Sequence, residues 1–126
     1  VHDAARAFTP SAVFERVAAA VSEAVPAVVP VMPLIDTVKV VDADGFVVST
    51  PDRATLRIVQ TPQGFRRDVL LAAHAAHGSL ATDDAALVEL LGLRVGTVPG
   101  DPVAIKVTTP EDLAYAERLL ASAARG

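Results

Sequence analysis

Apolar residues recur along this chain with two periods, one helical and one extended. Val13, Phe14, Val17, Val21 and Ala24 follow Thr9-Pro10-Ser11 at helical spacing, which predicts a helix over about 10–24. Thr9 can cap its orphan N–H groups, Pro10 suits the first helical position, and Pro26 ends it. Ala27 to Val31 is short, apolar and β-branched and reads as a buried strand, parallel because a helix precedes it, with Pro30 marking a strand end or a bend. Thr37–Val41 and Phe46–Thr50 flank Asp42-Ala43-Asp44-Gly45 and predict a hairpin. Its faces alternate less cleanly than those of a core strand, with Thr37, Lys39, Ser49 and Thr50 near its base. That pattern fits an arm that projects from the domain or packs on a partner.

Leu56 to Gln60 predicts another strand, stopped by Thr61-Pro62-Gln63-Gly64. Arg67 to Ala76 predicts a helix with Val69, Leu70, Ala73 and His77 near one face. Thr82 is placed to cap a further helix through Leu91, with Asp83 and Asp84 against its positive end and Gly92 at its exit. Arg94–Val98 and Val103–Val107 read as strands. Thr109-Pro110-Glu111-Asp112 repeats the cap-plus-proline start, and Leu113, Ala116, Leu119, Leu120 and Ala123 stripe a last helix. Helices alternating with short apolar strands form the α/β pattern: a mostly parallel sheet covered by helices on both faces.

Composition narrows the function classes. The 126 residues suit one domain, and 52% are apolar, enough for a hydrophobic core. Eleven Lys and Arg against 15 Asp and Glu leave a net charge of −4, and the only lysines are Lys39 and Lys106, which disfavours a nucleic-acid binder. The absence of cysteine excludes disulfide scaffolds, zinc ribbons and thiol nucleophiles and fits a cytoplasmic location. No apolar run reaches the roughly 20 residues of a membrane helix; the longest, Ala24–Leu34, is broken by Pro26, Pro30 and Pro33. The opening VHDAAR is unlike a signal peptide and lacks an initiator methionine, so a segment of a longer chain is expected.

Four stretches bring polar residues to strand ends or helix starts, where α/β sheets collect ligands. They are His2-Asp3-Ala4-Ala5-Arg6; Asp36-Thr37-Val38-Lys39 with Asp52-Arg53 at the other base of the hairpin; Thr61-Pro62-Gln63; and Thr82-Asp83-Asp84 with Ile105-Lys106-Val107-Thr108. Each has a plainer reading. Asp3 and Arg6 can be a surface ion pair, Thr82 and Thr109 helix caps, Arg66 and Arg67 solvated helix residues, and Arg53 an ordinary hairpin-base charge. Lys106 is harder to set aside, because a lysine inside an apolar β-run is costly unless its ammonium reaches water or an anion. His74 and His77, three apart on a helix, could grip a metal, but without a third ligand they read as surface histidines. No Ser–His–Asp set and no glycine-rich phosphate loop is recognisable. The residues alone point to an α/β domain with an anion site built on Lys106 and one or more arginines.

The stretches VHDAAR, DTVK, VQTPQGF, ATDDAALVE and IKVTTPEDL stand in an order that resembles the 2-C-methyl-D-erythritol 4-phosphate cytidylyltransferases of non-mevalonate isoprenoid biosynthesis. The resemblance runs over essentially the whole chain, as the C-terminal part of such an enzyme. It implies a Rossmann-like nucleotidyltransferase fold and a cytoplasmic homodimer without nucleic-acid or membrane partners. The implied reaction has the phosphate of methylerythritol phosphate attack the α-phosphorus of CTP and expel pyrophosphate, with Mg²⁺ bound mainly through the CTP phosphates. Positioning and charge neutralisation dominate such chemistry.

Residue by residue, the resemblance implies that Lys106 holds the attacking phosphate, against the nucleotide as well. It implies that Arg53 shares that task from the neighbouring subunit, and that Thr37 is another contact from the same arm. Asp3 would bind the methylerythritol hydroxyls with Arg6 beside it, Thr61 and Thr82 would line the pocket, and Ala4 would lie against the nucleotide. No residue is expected to ligate a metal. The segment from about 34 to 54 becomes the interlocking dimer arm. Family members often read HDAARP where this chain has Ala7 after Arg6, a change expected to alter loop stiffness rather than chemistry. The family's glycine-rich CTP loop is not among these 126 residues, so the segment alone is expected to be inactive. Ribitol-5-phosphate cytidylyltransferases share much of the pattern, which leaves the sugar phosphate open. A dimerisation fragment without catalysis is the reading from a different class, and a non-catalytic small-molecule binder has no dedicated sequence support.

Overall fold

The computed structural model of the chain describes residues 1–78 and 81–123. Its centre is strand β1, Ala27–Pro33. The first four residues of β1 are buried, so neither face of the strand is left to water. Strand β6, Val95–Pro99, runs parallel along one edge of β1, from Ala27↔Val95 to Val31↔Pro99. Strands β4, Arg57–Val59, and β5, Gly64–Phe65, pair antiparallel with the opposite halves of the other edge.

The registers on that edge reveal a bulge. Val31 pairs with Val59, whereas Val28 pairs with Gly64. Three steps along β1 are matched by five on the partner, so two extra residues leave the ladder between β4 and β5. The excursion contains Thr61 and Pro62, joined by a cis peptide bond.

Alternation along β1 divides the core. Ala27 packs with Ala73 of helix α2, Arg67–His77, and with Leu87 and Val88 of helix α3, Asp84–Leu90. Val28, pointing the other way, packs with Val13 and Val17 of helix α1, Ser11–Ala20. Helices therefore cover both faces, and the α/β class read from the sequence holds. The pairing among the described strands is mixed rather than mostly parallel, and β1 has parallel and antiparallel neighbours.

Local chemistry moves several boundaries. Helix α1 ends at Ala20 rather than near 24, because the chain turns back with Ser22 N–H bonded to Val25 O. Thr9 is not its cap: Pro10 occupies that position in extended geometry, and the Thr9 hydroxyl donates to Arg6 O at 2.9 Å. Thr82 does not cap α3; the Asp83 carboxylate does, accepting from Ala86 N at 2.8 Å. Gly92, at φ +74°, leaves that helix in the left-handed region open to glycine. Helix α4, Pro110–Ala123, starts as expected: Asp112 N donates to Thr109 Oγ1 while the Asp112 carboxylate accepts from Thr108 N and Thr109 N. Those backbone donors hold the Asp112 carboxyl below its ordinary range.

The expected strand over 103–107 is irregular, entered through a turn in which Ala104 N donates to Asp101 O. The hairpin forms a separate two-stranded sheet, β2 (Val40–Val41) and β3 (Val47–Ser49), closed by Asp42, whose carboxylate accepts from Asp44 N and Phe46 N. Every residue from 39 to 50 is exposed, including Val40, Val41, Phe46, Val47 and Val48.

Gly64 lets β5 lie against α1, since a β-carbon there would come within 2.6 Å of Val17 Cγ1 and 3.0 Å of Val21 Cγ2. Both neighbours are stiff β-branched side chains. Gly64→Ala in the intact protein is expected to lower stability by roughly 1–3 kcal/mol, read as a shifted urea midpoint. An unchanged midpoint would show that α1 does not lie this close to the sheet.

Candidate functional site

The fold brings the start of the chain against the bulge. Val1 N donates to Gln63 O at 2.7 Å and Gln63 N to Val1 O at 2.8 Å, which lays the VHDAAR stretch alongside Thr61–Gln63. Thr61 Oγ1 accepts from Asp3 N at 3.0 Å and contacts His2 Nδ1 at 2.9 Å. His2 is itself set by the edge of Phe14 on α1, at a centroid separation of 4.8 Å. Asp3 then turns the chain, its Oδ1 accepting from Ala5 N at 3.0 Å.

The remaining carboxylate oxygen of Asp3 meets Lys106 Nζ at 3.0 Å. Both groups reach solvent, with the Lys106 side chain 52% and the Asp3 side chain 29% exposed. Lys106 is thus not an ammonium buried in a β-strand. It lies on an irregular segment, reaches solvent, and meets the Asp3 carboxylate there. The Lys106 ammonium first, and the Ala5 N–H second, hold the Asp3 carboxyl below its ordinary value of 3.8.

Asp3 and Arg6 do not pair, so the plainer reading of them as a surface ion pair does not hold. Arg6 Nη1 donates to Ala104 O at 2.7 Å and Nη2 reaches Val59 O at 3.5 Å. Its Nε is buried without a partner. This guanidinium therefore ties the Lys106 segment to β4. Val107 N adds a second tie, to Ala5 O at 2.9 Å. Ala4 sits exposed in the turn between Asp3 and Ala5. Of the residues singled out in the sequence, Asp3, Ala4, Arg6, Thr61 and Lys106 stand together.

Thr37, Arg53 and Thr82 do not join them by any side-chain hydrogen bond or ion pair among the described residues. Arg53 lies in a short 3₁₀ turn at the base of the arm and donates to Ile35 O, bridging its two sides. Thr37 is exposed on the same base. Thr82 is exposed in the turn before α3, which Gln63 links to the bulge: Nε2 donates to Asp83 Oδ2 at 2.8 Å and Oε1 accepts from Ala85 N at 3.2 Å. His74 Nε2 bonds Asp84 Oδ1 at 2.7 Å, joining α2 to α3. No three His, Asp or Glu among the described residues gather as a metal site.

Sequence reading passed over Gln60, taken only as a strand end, and Asp101. Both lie under the site, and two glutamines bracketing Thr61-Pro62 in an otherwise apolar stretch were the available signal.

The α/β sheet that carries this polar cluster is shared with solved structures of cytidylyltransferases. The crystal structure of 2-C-methyl-D-erythritol 4-phosphate cytidylyltransferase from Thermus thermophilus is similar at TM-score 0.82 and 41% identity, over 94% of this chain and 59% of that one. The 4-diphosphocytidyl-2C-methyl-D-erythritol synthase of Anaerococcus prevotii is similar at TM-score 0.84 and 33% identity, over 94% and 56%. The chain belongs to the 2-C-methyl-D-erythritol 4-phosphate cytidylyltransferase family, whose model matches residues 1–122.

Relatives of that name include those of Saccharopolyspora erythraea, 61% identical over 121 residues, and Frankia casuarinae, 63% identical over 121. The alignments take in 96% of this chain but 54% and 46% of those proteins, so the chain spans about half the length of the relatives it matches.

The lowered pKa of Asp3 has a testable sign. A carboxyl depressed by folding adds stability above its unfolded value of 3.8, and that contribution is lost as pH falls through the lower folded value. Carbon-detected NMR titration of the intact protein should place the Asp3 midpoint below 3.8 and move it up toward 3.8 in Lys106→Met. A midpoint indifferent to that substitution would remove the ion pair from the account.

Proposed function

We propose that the intact protein transfers CMP from CTP to 2-C-methyl-D-erythritol 4-phosphate, and that this chain supplies the polyol-phosphate side of the site. A phosphate oxygen of methylerythritol phosphate attacks the α-phosphorus of CTP. The bond from that phosphorus to the bridging oxygen breaks, and pyrophosphate leaves with the electron pair. The chain's own residues bind and orient the nucleophile. The Lys106 ammonium, held 3.0 Å from the Asp3 carboxylate at an open surface, carries this reading. A phosphate dianion offers that ammonium more charge than a carboxylate does and can draw it over. Asp3, released, then accepts from polyol hydroxyls, with Thr61 beside it and Ala4 leaving room for the nucleotide.

Arg53 and Thr37 act, in this reading, across a homodimer. Their place on the arm, away from the cluster, and the exposed Val40, Val41, Phe46, Val47 and Val48 support an arm that packs on a second subunit and delivers Arg53 to its phosphate. Thr82, next in the chain to the Asp83 that Gln63 holds, lines the polyol side of the site in this reading. On the same reading Mg²⁺ belongs to the triphosphate as part of the substrate. No helix among the described residues is long and apolar enough to cross a membrane; the cytoplasmic location is proposed from the resemblance to the family.

Lys106→Ala in the intact protein should lower kcat/KM for methylerythritol phosphate by about 10²-fold or more, with dimerisation preserved in sedimentation. Near-normal turnover would reduce this chain to an assembly element. Preference of the wild-type protein for ribitol 5-phosphate would overturn the substrate assignment while leaving the reaction type in place.

A further inference from the structure

Lys106 is carried by neither helix nor strand, so its position depends on what ties down residues 100–107. We propose that Gln60 is a positioning residue that fixes this segment and thereby sets affinity for the phosphorylated co-substrate, without touching either substrate. The proposal rests on the reading of Lys106 given above.

Gln60 is 6% exposed. Its side-chain amide meets one residue with both of its groups: Nε2 donates to Asp101 O at 2.9 Å and Oε1 accepts from Asp101 N at 3.0 Å. The pairing copies what a neighbouring strand would offer at a point where no strand continues. The fit needs a glycine next door, because a β-carbon on Gly100 would overlap Gln60 Oε1.

Asp101 relays the constraint forward. Its carbonyl accepts from Ala104 N at 3.0 Å and its Oδ1 from Val103 N at 2.9 Å, which fixes the turn just before Lys106. On its other side, Gln60 N is bonded to Pro30 O at 2.8 Å, so the amide is anchored to the central strand. Thr61 follows it directly in the chain. Gln60 thus sets the spacing between the two halves of the site, Thr61 with Asp3 on one side and Lys106 on the other.

Gln60→Glu in the intact protein separates this role from simple packing. Ionised, the new carboxylate accepts from Asp101 N but sets a second acceptor against Asp101 O; protonated, it donates again and restores the amide pattern. Burial keeps the protonated form accessible at mildly acidic pH. Near pH ~8 the KM for methylerythritol phosphate should rise by about tenfold over wild type, with the KM for CTP little changed. Lowering the pH to about 6 should bring the ratio back toward wild type. Gln60→Leu should show the same split between substrates with no recovery, and deuterium uptake over residues 100–108 should rise wherever the KM rises.

Equal effects on both substrates, no effect on either, or a Gln60→Glu defect indifferent to pH would overturn the proposal. Lys106→Ala measured in parallel keeps the two readings apart. Full activity in that variant removes the site assignment itself. A Lys106→Ala defect beside unperturbed Gln60 variants removes only the role of Gln60.

Discussion

An ammonium and a carboxylate 3.0 Å apart, contributed by residues near opposite ends of the chain, are the contact around which the site is arranged. At an open surface such a pair adds little to stability, because water screens it and two side chains must be ordered to make it. Its importance lies in what it holds ready. Lys106 is held in place, and its ammonium keeps the Asp3 carboxyl below its ordinary range. A ligand bearing a phosphate and hydroxyls can then divide the pair, taking the ammonium with one group and the carboxylate with the others.

The scaffold is what makes that contact possible. A single central strand, β1, carries all the other strands of the main sheet and divides the core between α1 on one face and α2 with α3 on the other. Two residues too many on one edge push Thr61 out of the ladder toward His2 and Asp3. Beyond β6 the chain leaves the sheet, and Gln60, Arg6 and Ala5 catch it in turn. Buried side-chain amides and a guanidinium do here what backbone ladders do elsewhere, since buried polar groups must find partners.

Elements with a strong period or a local chemical signal were legible in the sequence. The buried run at Ala27, the hairpin around Asp42 and Gly45, helix α2, the Gly92 exit and the Thr109–Asp112 start all stand where pattern placed them. The failures share a cause, which is tertiary competition for local groups. Thr9 and Thr82 have the chemistry of caps, but Pro10 and Asp83 hold the cap positions. The run 103–107 has strand composition, yet Ala104 O is taken by Arg6, Val107 N by Ala5 O, and the Val103 and Ala104 amides by Asp101, instead of by a neighbouring strand. Within the site, charged and hydroxyl residues announced themselves, whereas Gln60 did not, because a glutamine's role depends on which backbone it faces across 41 residues of sequence.

The arm follows a different logic. Its strands are short, exposed and apolar, a composition that gains stability only against another surface. Arg53 on that arm and Lys106 in the cluster are the two cations assigned to one phosphate, and they would meet across a subunit boundary. The most direct test of the central claim is a crystal structure of the intact protein with methylerythritol phosphate and a non-hydrolysable CTP analogue. The account predicts Lys106 Nζ within about 3 Å of a phosphate oxygen of the polyol, with the Asp3 carboxylate turned to its hydroxyls. A bound polyol phosphate that leaves the Asp3–Lys106 pair closed and unengaged would contradict it.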